Sequence, residues 1–325
     1  QLARFRERKR RSMKVLIAQD IVHEGKQYLL DCGYQVVVSP GFDVETLKEQ
    51  IQGCDGVIVR YAPFPAEVME AADRLKVIAR FGIGVDNIDV EAATRLGIQV
   101  TNTPHANSNA VAEHTVAMIA ALCKKLLICD EETRAGRFEQ CRTGYHFGDM
   151  EGATVGVVGM GQIGRLVAKK LHYGFGMHVL GYMRHPREVP DYITPATLKE
   201  LYERSDVVTL HVPNLPENRN MVGRGAFEKM KNSCIFINTA RGGVVDEKAL
   251  VWALQTGQIA SAGLDTFVQE PLPADSPLTT LPNVLLTPHS AALSDQANVH
   301  MAIHAAQGVD EVLSGRMVTW PVNHI

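Results

Sequence analysis

The stretch VGVVGMGQIGRLVAKKL, residues 155–171, decides the fold, because an apolar strand runs there into three spaced glycines and then into a helix. Gly159 permits the tight bend, Gly161 lets the backbone approach a pyrophosphate, and Gly164 lets the helix pack against the strand. The start of the helix adds N–H groups and a partial positive charge, which suit phosphate. A second strand, at His178–Tyr182, follows at the distance expected in a dinucleotide-binding unit. We assign the phosphates of the cofactor to Gly159, Gly161, Gln162, Ile163 and Gly164.

The residues after the second strand bear on the choice between NAD and NADP. An NAD-binding site has Asp or Glu at the end of this strand, where the carboxylate accepts hydrogen bonds from the ribose. Met183 stands at this position, Arg184 follows it, and the next carboxylate is Glu188. Arg184 is either a partner for the 2′-phosphate of NADP or a solvated surface cation. The missing acid favours NADP, and NAD stays open as the alternative.

Short apolar runs alternate with helical patterns on both sides of this turn. Runs without polar alternation, separated by helices, indicate parallel sheets that are covered on both faces. The sequence therefore predicts an α/β protein with two doubly wound parallel-sheet domains. We predict strands at 14–18, 35–38, 56–59, 76–79 and 98–101, and then at 154–158, 178–182, 207–210, 234–238, 261–264 and 284–286. A long helix is predicted at 107–128, followed by a loop at 135–151 and by a last helix at 291–313.

The composition excludes several classes of protein. Of the 325 residues, 46% are hydrophobic and 21% are charged, so the chain can bury cores and is not disordered. The longest apolar run, 116–123, is too short to cross a membrane. The six cysteines form no CxxC pair, and no Cys/His group has the spacing of a zinc site. We therefore expect no metal and a reducing, cytoplasmic location.

The first twelve residues carry six of the basic side chains. We interpret 1–12 as a basic extension or a cloning remnant, with Met13 as the natural start, while a basic arm for nucleic acid is the alternative. The whole chain has a net charge of −3, and the chain without these residues has a net charge of −8. Such an acidic body argues against a nucleic-acid surface.

Three further segments follow predicted strands, namely 238–246, 263–271 and 287–292. Open α/β sheets bind their ligands beyond the carboxyl ends of the strands, which is where these segments are expected. An arginine can hold a carboxylate through two hydrogen bonds, and a histidine can give a proton to a carbonyl oxygen as hydride reaches the carbon. A glutamate beside the histidine would fix its ring and favour its protonated form. Arg241, Glu270 and His289 therefore suffice for carbonyl reduction.

Together with RFGIGVDN at 80–87 and NSNAVAEHT at 107–115, these segments resemble the D-isomer-specific 2-hydroxyacid dehydrogenase family. Within it, they are most similar to the 3-phosphoglycerate dehydrogenases and the hydroxypyruvate or glyoxylate reductases. The resemblance implies a Rossmann NAD(P)-binding domain, residues 104–291, inserted into a flavodoxin-like substrate domain made of 13–103 and 292–325. It also implies a homodimer, for which the apolar helix at 107–128 is a suitable interface.

The resemblance further implies roles for single residues. It makes Arg241, Glu270 and His289 the catalytic set, with His289 as the proton donor. On the cofactor side it implies a nicotinamide contact at Asp265 with the backbone near Thr239 and Ala240, and an adenosine wall at His211, Val212 and Pro213. On the substrate side it implies backbone N–H groups at Ile83 and Gly84 that bind the carboxylate. Arg60 is either a contact for a second polar group of the substrate or a salt-bridged surface residue.

The implied activity is the NAD(P)-dependent interconversion of a small 2-keto acid and its D-2-hydroxy acid. The alternative on the same fold is an NAD(P)(H)-sensing binding protein of the corepressor type, since such proteins can retain the three catalytic groups. A third hypothesis, a nucleic-acid-binding protein, depends on residues 1–12 alone. We expect neither a nucleic acid nor a membrane as a partner.

Overall fold

The computed structural model describes residues 13–325, so the basic segment 1–12 and both of its interpretations lie outside the described residues. The chain divides into two compact units. One contains the residues up to Asn107 together with Leu293–Ile325, and the other contains Ser108–Ala292. The second unit is thus inserted into the sequence of the first, with boundaries at 107/108 and 292/293 where the sequence predicts 103/104 and 291/292.

The first unit is built around a five-stranded parallel sheet. Its strands are β1 (Lys14–Ile17), β2 (Gln35–Val38), β3 (Gly56–Val59), β4 (Val77–Arg80) and β5 (Gln99–Thr101). The helices that connect them are α1 (His23–Asp31), α2 (Val44–Gln50), α3 (Ala66–Glu70) and α4 (Val90–Arg95). The strand order β2-β1-β3-β4-β5 is that of a flavodoxin-like sheet.

Burial on both faces explains why the strands of this unit are continuous apolar runs. All four residues of β3 are buried, and the last helix of the chain, Asp295–Leu313, packs against β3 and β4. The same helix approaches α1 so closely that a Cβ at Gly25 would lie 2.7 Å from the Cβ of Ala302. The returning C-terminal segment therefore completes the core of the first unit.

The second unit contains a seven-stranded parallel sheet. Its strands are β6 (Thr154–Val158), β7 (His178–Tyr182), β8 (Ile193–Pro195), β9 (Val207–Leu210), β10 (Ile235–Asn238), β11 (Ser261–Leu264) and β12 (Val284–Leu286). Its helices are α5 (Ser108–Cys123), α6 (Leu126–Arg134), α7 (Phe138–Gly144), α8 (Gln162–Phe175), α9 (Leu198–Arg204), α10 (Arg224–Phe227) and α11 (Glu247–Gln255). The last helix of the chain, α12 (Asp295–Leu313), belongs to the first unit. None of the helices in residues 13–325 has the length and apolarity needed to cross a membrane.

The strand order of the second sheet is β12-β11-β10-β9-β6-β7-β8. Counted from β6, this is the Rossmann order with one further strand at the edge. The order reverses between β6 and β9, and ligands of such sheets bind beyond the carboxyl ends of the strands at this switch point. The predicted fold class, a Rossmann domain inserted into a flavodoxin-like domain, is confirmed.

The prediction of one helix over 107–128 is wrong. The chain forms α5 and α6 with a break at Lys125, whose φ of 50° lies in the left-handed region. The predicted loop at 135–151 is also wrong, because it contains α7. The turn before α7 is held by Arg137, whose Nε and Nη2 donate to the Glu132 carboxylate at 2.5 and 2.8 Å. A two-bond pair of this kind stabilises a turn that local hydrophobic periodicity does not reveal.

The structure contains two elements, β8 and α9, that were not predicted from the sequence. The edge strand β8 has three residues and ends in Pro195, which suits an edge because proline has no N–H to donate. Helix α9 begins with a capping box, in which the Thr197 side chain accepts from the Glu200 amide and the Glu200 side chain accepts from the Thr197 amide. This motif is visible in the sequence and could have predicted the helix start.

Candidate active site

The glycine turn between β6 and α8 has the shape that the sequence predicts. Gly159 has a φ of 99°, and a Cβ there would lie 2.3 Å from the carbonyl oxygen of His211. A Cβ at Gly164 would lie 2.0 Å from the carbonyl oxygen of Gly159. At Gly161, by contrast, a Cβ would have no neighbouring atom within 4 Å. Two glycines are therefore required for packing, while the third leaves open space above the turn.

This open space fits the pyrophosphate of a dinucleotide. Gly161 is the N-cap of the 14-residue helix α8, and no side chain within residues 13–325 caps the start of the helix. The N–H groups and the partial positive charge of the helix start are thus directed at a space that a Cβ at Gly161 would narrow. His211 and Val212 lie against Gly159 on the other side of the turn, as a wall of the same site.

The end of β7 carries Met183 and Arg184, the residues predicted to bear on the choice between NAD and NADP. The Gly159 amide donates to the Tyr182 carbonyl at 2.9 Å, so Met183 and Arg184 follow directly beside the turn. Arg184 Nη1 lies 2.9 Å from Glu217 Oε1, and Arg184 Nη2 donates to Asn218 Oδ1 at 2.6 Å. The guanidinium is therefore held by two residues of the segment that follows β9.

His211 adds no positive charge to this region. Burial lowers the pKa of His211 to about 3, so the ring is neutral near pH 7. Its Nε2 lies 3.0 Å from Thr209 Oγ1. His211 therefore presents a neutral ring next to the glycine turn.

The predicted histidine and glutamate form a hydrogen-bonded pair. His289 follows β12 and has a φ of 51°, and its Nδ1 lies 2.7 Å from Glu270 Oε2. Glu270 Oε1 accepts from the Phe267 amide at 3.0 Å. Burial alone raises the pKa of Glu270, but the hydrogen bonds from His289 and from the Phe267 amide, with a smaller contribution from the charge of Arg241, leave it below its usual value. Glu270 is therefore a carboxylate at neutral pH, and it accepts the hydrogen bond from His289.

Asp265, predicted as a nicotinamide contact, has a fully buried carboxylate that binds the loop carrying His289. Its Oδ1 accepts from Thr287 Oγ1 at 2.5 Å and from the Ser290 amide at 2.9 Å, and its Oδ2 accepts from the Ala291 amide at 3.0 Å. His114 Nε2 lies 3.1 Å from Thr287 Oγ1. Asp265 thus fixes the backbone on both sides of His289.

Arg241 lies in the loop after β10, and this loop packs against the segment that leads to Glu270. The Asn238 side chain donates to the Arg241 carbonyl at 2.9 Å and accepts from the Ala240 amide at 3.0 Å, which sets the shape of the loop. A Cβ at Gly242 would lie 1.9 Å from the carbonyl carbon of Phe267. The residue after Arg241 must therefore be glycine for the two loops to meet.

Thr239, in the same loop, lies against α5. Its Oγ1 is 2.9 Å from Thr115 Oγ1, and both side chains are buried. The predicted cofactor contacts Thr239 and Ala240 therefore belong to one fixed backbone segment. Thr115 holds it through the Thr239 side chain, and Asn238 holds it through the Ala240 amide.

The predicted substrate residues lie in the first unit, at the carboxyl ends of the neighbouring strands β3 and β4. Arg60 Nη1 donates to the Asp20 carbonyl at 2.9 Å, and its guanidinium lies 5.1 Å from the centre of the Phe81 ring. The Asn102 side chain donates to the Ile83 carbonyl at 2.8 Å, which holds the turn containing Ile83 and Gly84. This unit therefore presents an arginine and a backbone turn at one edge of its sheet.

Within Ser108–Ala292, the structure brings the predicted cofactor and catalytic residues to the carboxyl ends of β6, β7 and β9 to β12. Arg60, Ile83 and Gly84 belong to the other unit and form a separate group. Sequence reasoning missed the supporting residues His114, Glu217, Asn218 and Thr287. Thr287 lies in the segment 287–292, two residues before His289, and His114 lies in NSNAVAEHT at 107–115.

The fold and the glycine turn define a dinucleotide-binding protein of the Rossmann type, and comparisons with known proteins narrow the class. The model of the D-isomer specific 2-hydroxyacid dehydrogenase NAD-binding domain matches residues 116–291. The chain is 38% identical to the glyoxylate reductase of Thermofilum pendens over 321 residues, which are 95% of this chain and 94% of that protein. The chain belongs to the D-isomer specific 2-hydroxyacid dehydrogenase family.

Two further comparisons bear on the substrate and the cofactor. The chain is 38% identical to the D-3-phosphoglycerate dehydrogenase of Archaeoglobus fulgidus over 315 residues, which are 96% of this chain and 59% of that protein. It therefore spans about three fifths of the length of that relative. The NADPH-dependent glyoxylate/hydroxypyruvate reductase from Sinorhizobium meliloti, solved in complex with NADP and malonate, superposes with a TM-score of 0.84 at 30% identity, covering 96% of this chain and 97% of that one.

Proposed function

We propose that the chain interconverts a small 2-keto acid and its D-2-hydroxy acid with a nicotinamide cofactor. The observation that carries this proposal is the 2.7 Å hydrogen bond between His289 and Glu270, in the same unit as the glycine turn. A histidine held by an ionised carboxylate is a proton donor and acceptor, and the glycine turn fits the dinucleotide. Family membership supports the same reaction.

His289 handles the proton in this proposal. Because Glu270 is a carboxylate at neutral pH, the nitrogen that faces it, Nδ1, carries a hydrogen. The other nitrogen, Nε2, is therefore the atom that gives a proton to the carbonyl oxygen during reduction and takes it back during oxidation. When bound, the reduced nicotinamide supplies the hydride that reaches the carbonyl carbon.

Arg241 binds and orients the keto acid in this proposal. Its planar guanidinium matches the two oxygens of a carboxylate, and it also polarises a neighbouring carbonyl group. The family resemblance further implies backbone N–H groups at Ile83 and Gly84 that bind a substrate carboxylate, and Arg60 as a contact for a second polar group of the substrate. The relatives' names support small 2-keto acids such as glyoxylate and hydroxypyruvate as the substrate class.

NADPH is the cofactor that we propose as preferred. Met183 offers no carboxylate to the ribose hydroxyls, and Arg184 beside it offers a guanidinium to a 2′-phosphate. The Sinorhizobium meliloti reductase, which is NADPH-dependent, supports this choice. Asp265 contributes to the nicotinamide end through the loop that it holds, near Thr239 and Ala240.

We propose a homodimer in the cytoplasm as the working form. Large apolar side chains on α6 and α7 are exposed, namely Leu126, Leu127 and Phe138, and such a patch suits burial against a second copy. The six cysteines are free, which suits a reducing compartment.

The test is a kinetic screen of glyoxylate, hydroxypyruvate, phosphohydroxypyruvate, pyruvate and longer 2-keto acids. Each acid is assayed with NADPH and with NADH by the loss of absorbance of the reduced nicotinamide, and the chirality of the product is determined. We expect turnover of at least one acid and a D-2-hydroxy acid as the product. Tight binding of NADPH without turnover of any acid would instead support the cofactor-sensing alternative.

A further inference from the structure

Arg184, the residue proposed to receive the 2′-phosphate, already binds a carboxylate. Its Nη1 lies 2.9 Å from Glu217 Oε1, and the two side chains are 41% and 51% exposed. Glu217 lies in the short 3₁₀ turn Pro216–Asn218 that follows β9. An anion is therefore in place at the position where the phosphate of NADPH would bind.

Asn218 holds the other side of the same guanidinium. Its Oδ1 accepts from Arg184 Nη2 at 2.6 Å, while its Nδ2 donates to the Pro213 carbonyl at 2.9 Å. Asn218 is only 5% exposed, so its side chain is fixed. This anchor ties Arg184 to the adenosine wall at His211–Pro213 and leaves Nη1 directed at Glu217.

We propose that Glu217 is a specificity-determining residue, whose carboxylate competes with the 2′-phosphate of NADPH for Nη1 of Arg184. Asn218 positions the guanidinium for either anion. This inference rests on the proposed preference for NADPH. Its consequence is that the protein discriminates less between NADPH and NADH than Arg184 alone would allow.

The exposure of the Arg184–Glu217 ion pair determines how strongly Glu217 weakens the binding of the 2′-phosphate. An ion pair between exposed side chains contributes little to stability, so a phosphate can displace Glu217 from Nη1. The displaced carboxylate nevertheless stays near the phosphate and repels it, and salt screens this repulsion only in part. Removing the charge of Glu217 should therefore strengthen the binding of the 2′-phosphate by about three- to tenfold.

The experiment is isothermal titration calorimetry on the full chain, with AMP and adenosine 2′,5′-bisphosphate as probes that differ only in the 2′-phosphate. Wild type is compared with Glu217→Gln and with the matched control Glu228→Gln. Glu228 pairs with Arg224 at 3.0 Å and is also 51% exposed, so this control removes an equal charge from a similar pair. We expect Glu217→Gln to raise the ratio of the two affinities about three- to tenfold, with a smaller increase at high salt, and the control to leave it unchanged.

Arg184→Ala separates failure of this inference from failure of the proposed function. If Arg184→Ala lowers the affinity ratio while Glu217→Gln leaves it unchanged, Arg184 binds the phosphate and Glu217 does not compete. If Arg184→Ala also leaves the ratio unchanged, the proposed preference for NADPH fails and the inference fails with it. An increase with Glu228→Gln equal to that with Glu217→Gln would assign the effect to net charge and would overturn the inference.

Discussion

His289 occupies a backbone conformation that residues other than glycine rarely adopt, with a φ of 51°. Asp265 holds this conformation in place, because it accepts from the amides of Ser290 and Ala291 directly after the histidine. Glu270 then fixes the ring. Strained residues persist where the surrounding structure over-determines them, and they occur often at functional sites. The backbone and the ring of His289 are thus held independently.

The first prediction is that His289→Gln lowers kcat for keto-acid reduction by about 10²–10⁴-fold, because the variant has no group that can deliver the proton. The affinity for NADPH, measured by calorimetry, should stay within about twofold, since His289 is distant in sequence from the glycine turn and acts on the substrate oxygen. His178→Gln is the control, because this histidine is exposed at the amino end of β7. A kcat within threefold of wild type would remove His289 from the role of proton donor.

The second prediction concerns Glu270→Gln and the pH profile of reduction. Although burial raises the pKa of Glu270, its hydrogen bond with His289 helps to leave this pKa below its usual value, so the ionised carboxylate faces Nδ1 with a negative charge that a neutral amide does not supply. Reduction requires the protonated ring, so the activity of the variant should fall at a lower pH than that of wild type. The measurement is kcat/KM for reduction between pH 5 and pH 9. A profile that scales down without moving along the pH axis would show that Glu270 only positions the ring.

At the scale of the elements, the glycine turn permits a paired test, which is the third prediction. Gly164→Ala should unfold or strongly destabilise the second unit, because its Cβ would lie 2.0 Å from a backbone oxygen. Gly161→Ala should leave Tm within a few degrees, because its Cβ would enter open space. The same variant should weaken NADPH binding by at least tenfold, as calorimetry can measure, if that space receives the pyrophosphate. Unchanged binding in a folded Gly161→Ala protein would place the phosphates elsewhere.

The loop between β12 and α12 carries the fourth prediction. Thr287→Val removes the hydroxyl that donates to the buried Asp265 carboxylate at 2.5 Å. A buried acceptor that loses a partner costs about 1–3 kcal/mol, so the free energy of unfolding in urea should fall by that amount. Thr280→Val is the control, since Thr280 is exposed and, within residues 13–325, its hydroxyl donates to the Pro277 carbonyl of its own turn. Equal stability of Thr287→Val and wild type would show that the hydrogen bond from Thr287 to Asp265 does not stabilise this loop.

The elements that could be predicted from the sequence are those with a local signature. The three glycines have separate steric roles within six residues, and the buried strands are continuous apolar runs, so both features could be predicted from the sequence. The helix break at Lys125 could not be predicted, because nothing in the neighbouring sequence requires a left-handed residue there. Likewise Asn218 contacts Arg184 across 34 residues of sequence, and Thr287 contacts Asp265 across 22. Contacts of this range depend on the fold and leave no local pattern.

At the scale of the whole molecule, one unit is inserted into the other in sequence, and each unit has its own core. Both sheets are parallel, and each presents its candidate functional residues beyond the carboxyl ends of its strands. The predicted roles divide along the same boundary, with cofactor and proton chemistry in Ser108–Ala292 and the substrate contacts at Arg60, Ile83 and Gly84 in the other unit. The two parallel sheets followed from strand patterns, and the insertion of one domain into the other followed from family resemblance. The glycine turn and the catalytic set Arg241, Glu270 and His289 followed from residue chemistry, and the resemblance added the other roles.

The fifth prediction concerns assembly of the proposed dimer. Leu127 and Phe138 are each 55% exposed on α6 and α7, and burying such side chains against a second copy would stabilise association. Wild type should sediment at twice the mass of the chain, and the double variant Leu127→Glu with Phe138→Glu should sediment as a monomer, because buried charges without partners are unfavourable. Leu30→Glu is the control, since Leu30 is 50% exposed on α1 of the other unit. The measurement is sedimentation velocity over a range of protein concentrations. A double variant that remains dimeric would place the interface on another surface, and a monomeric wild type would contradict the dimer.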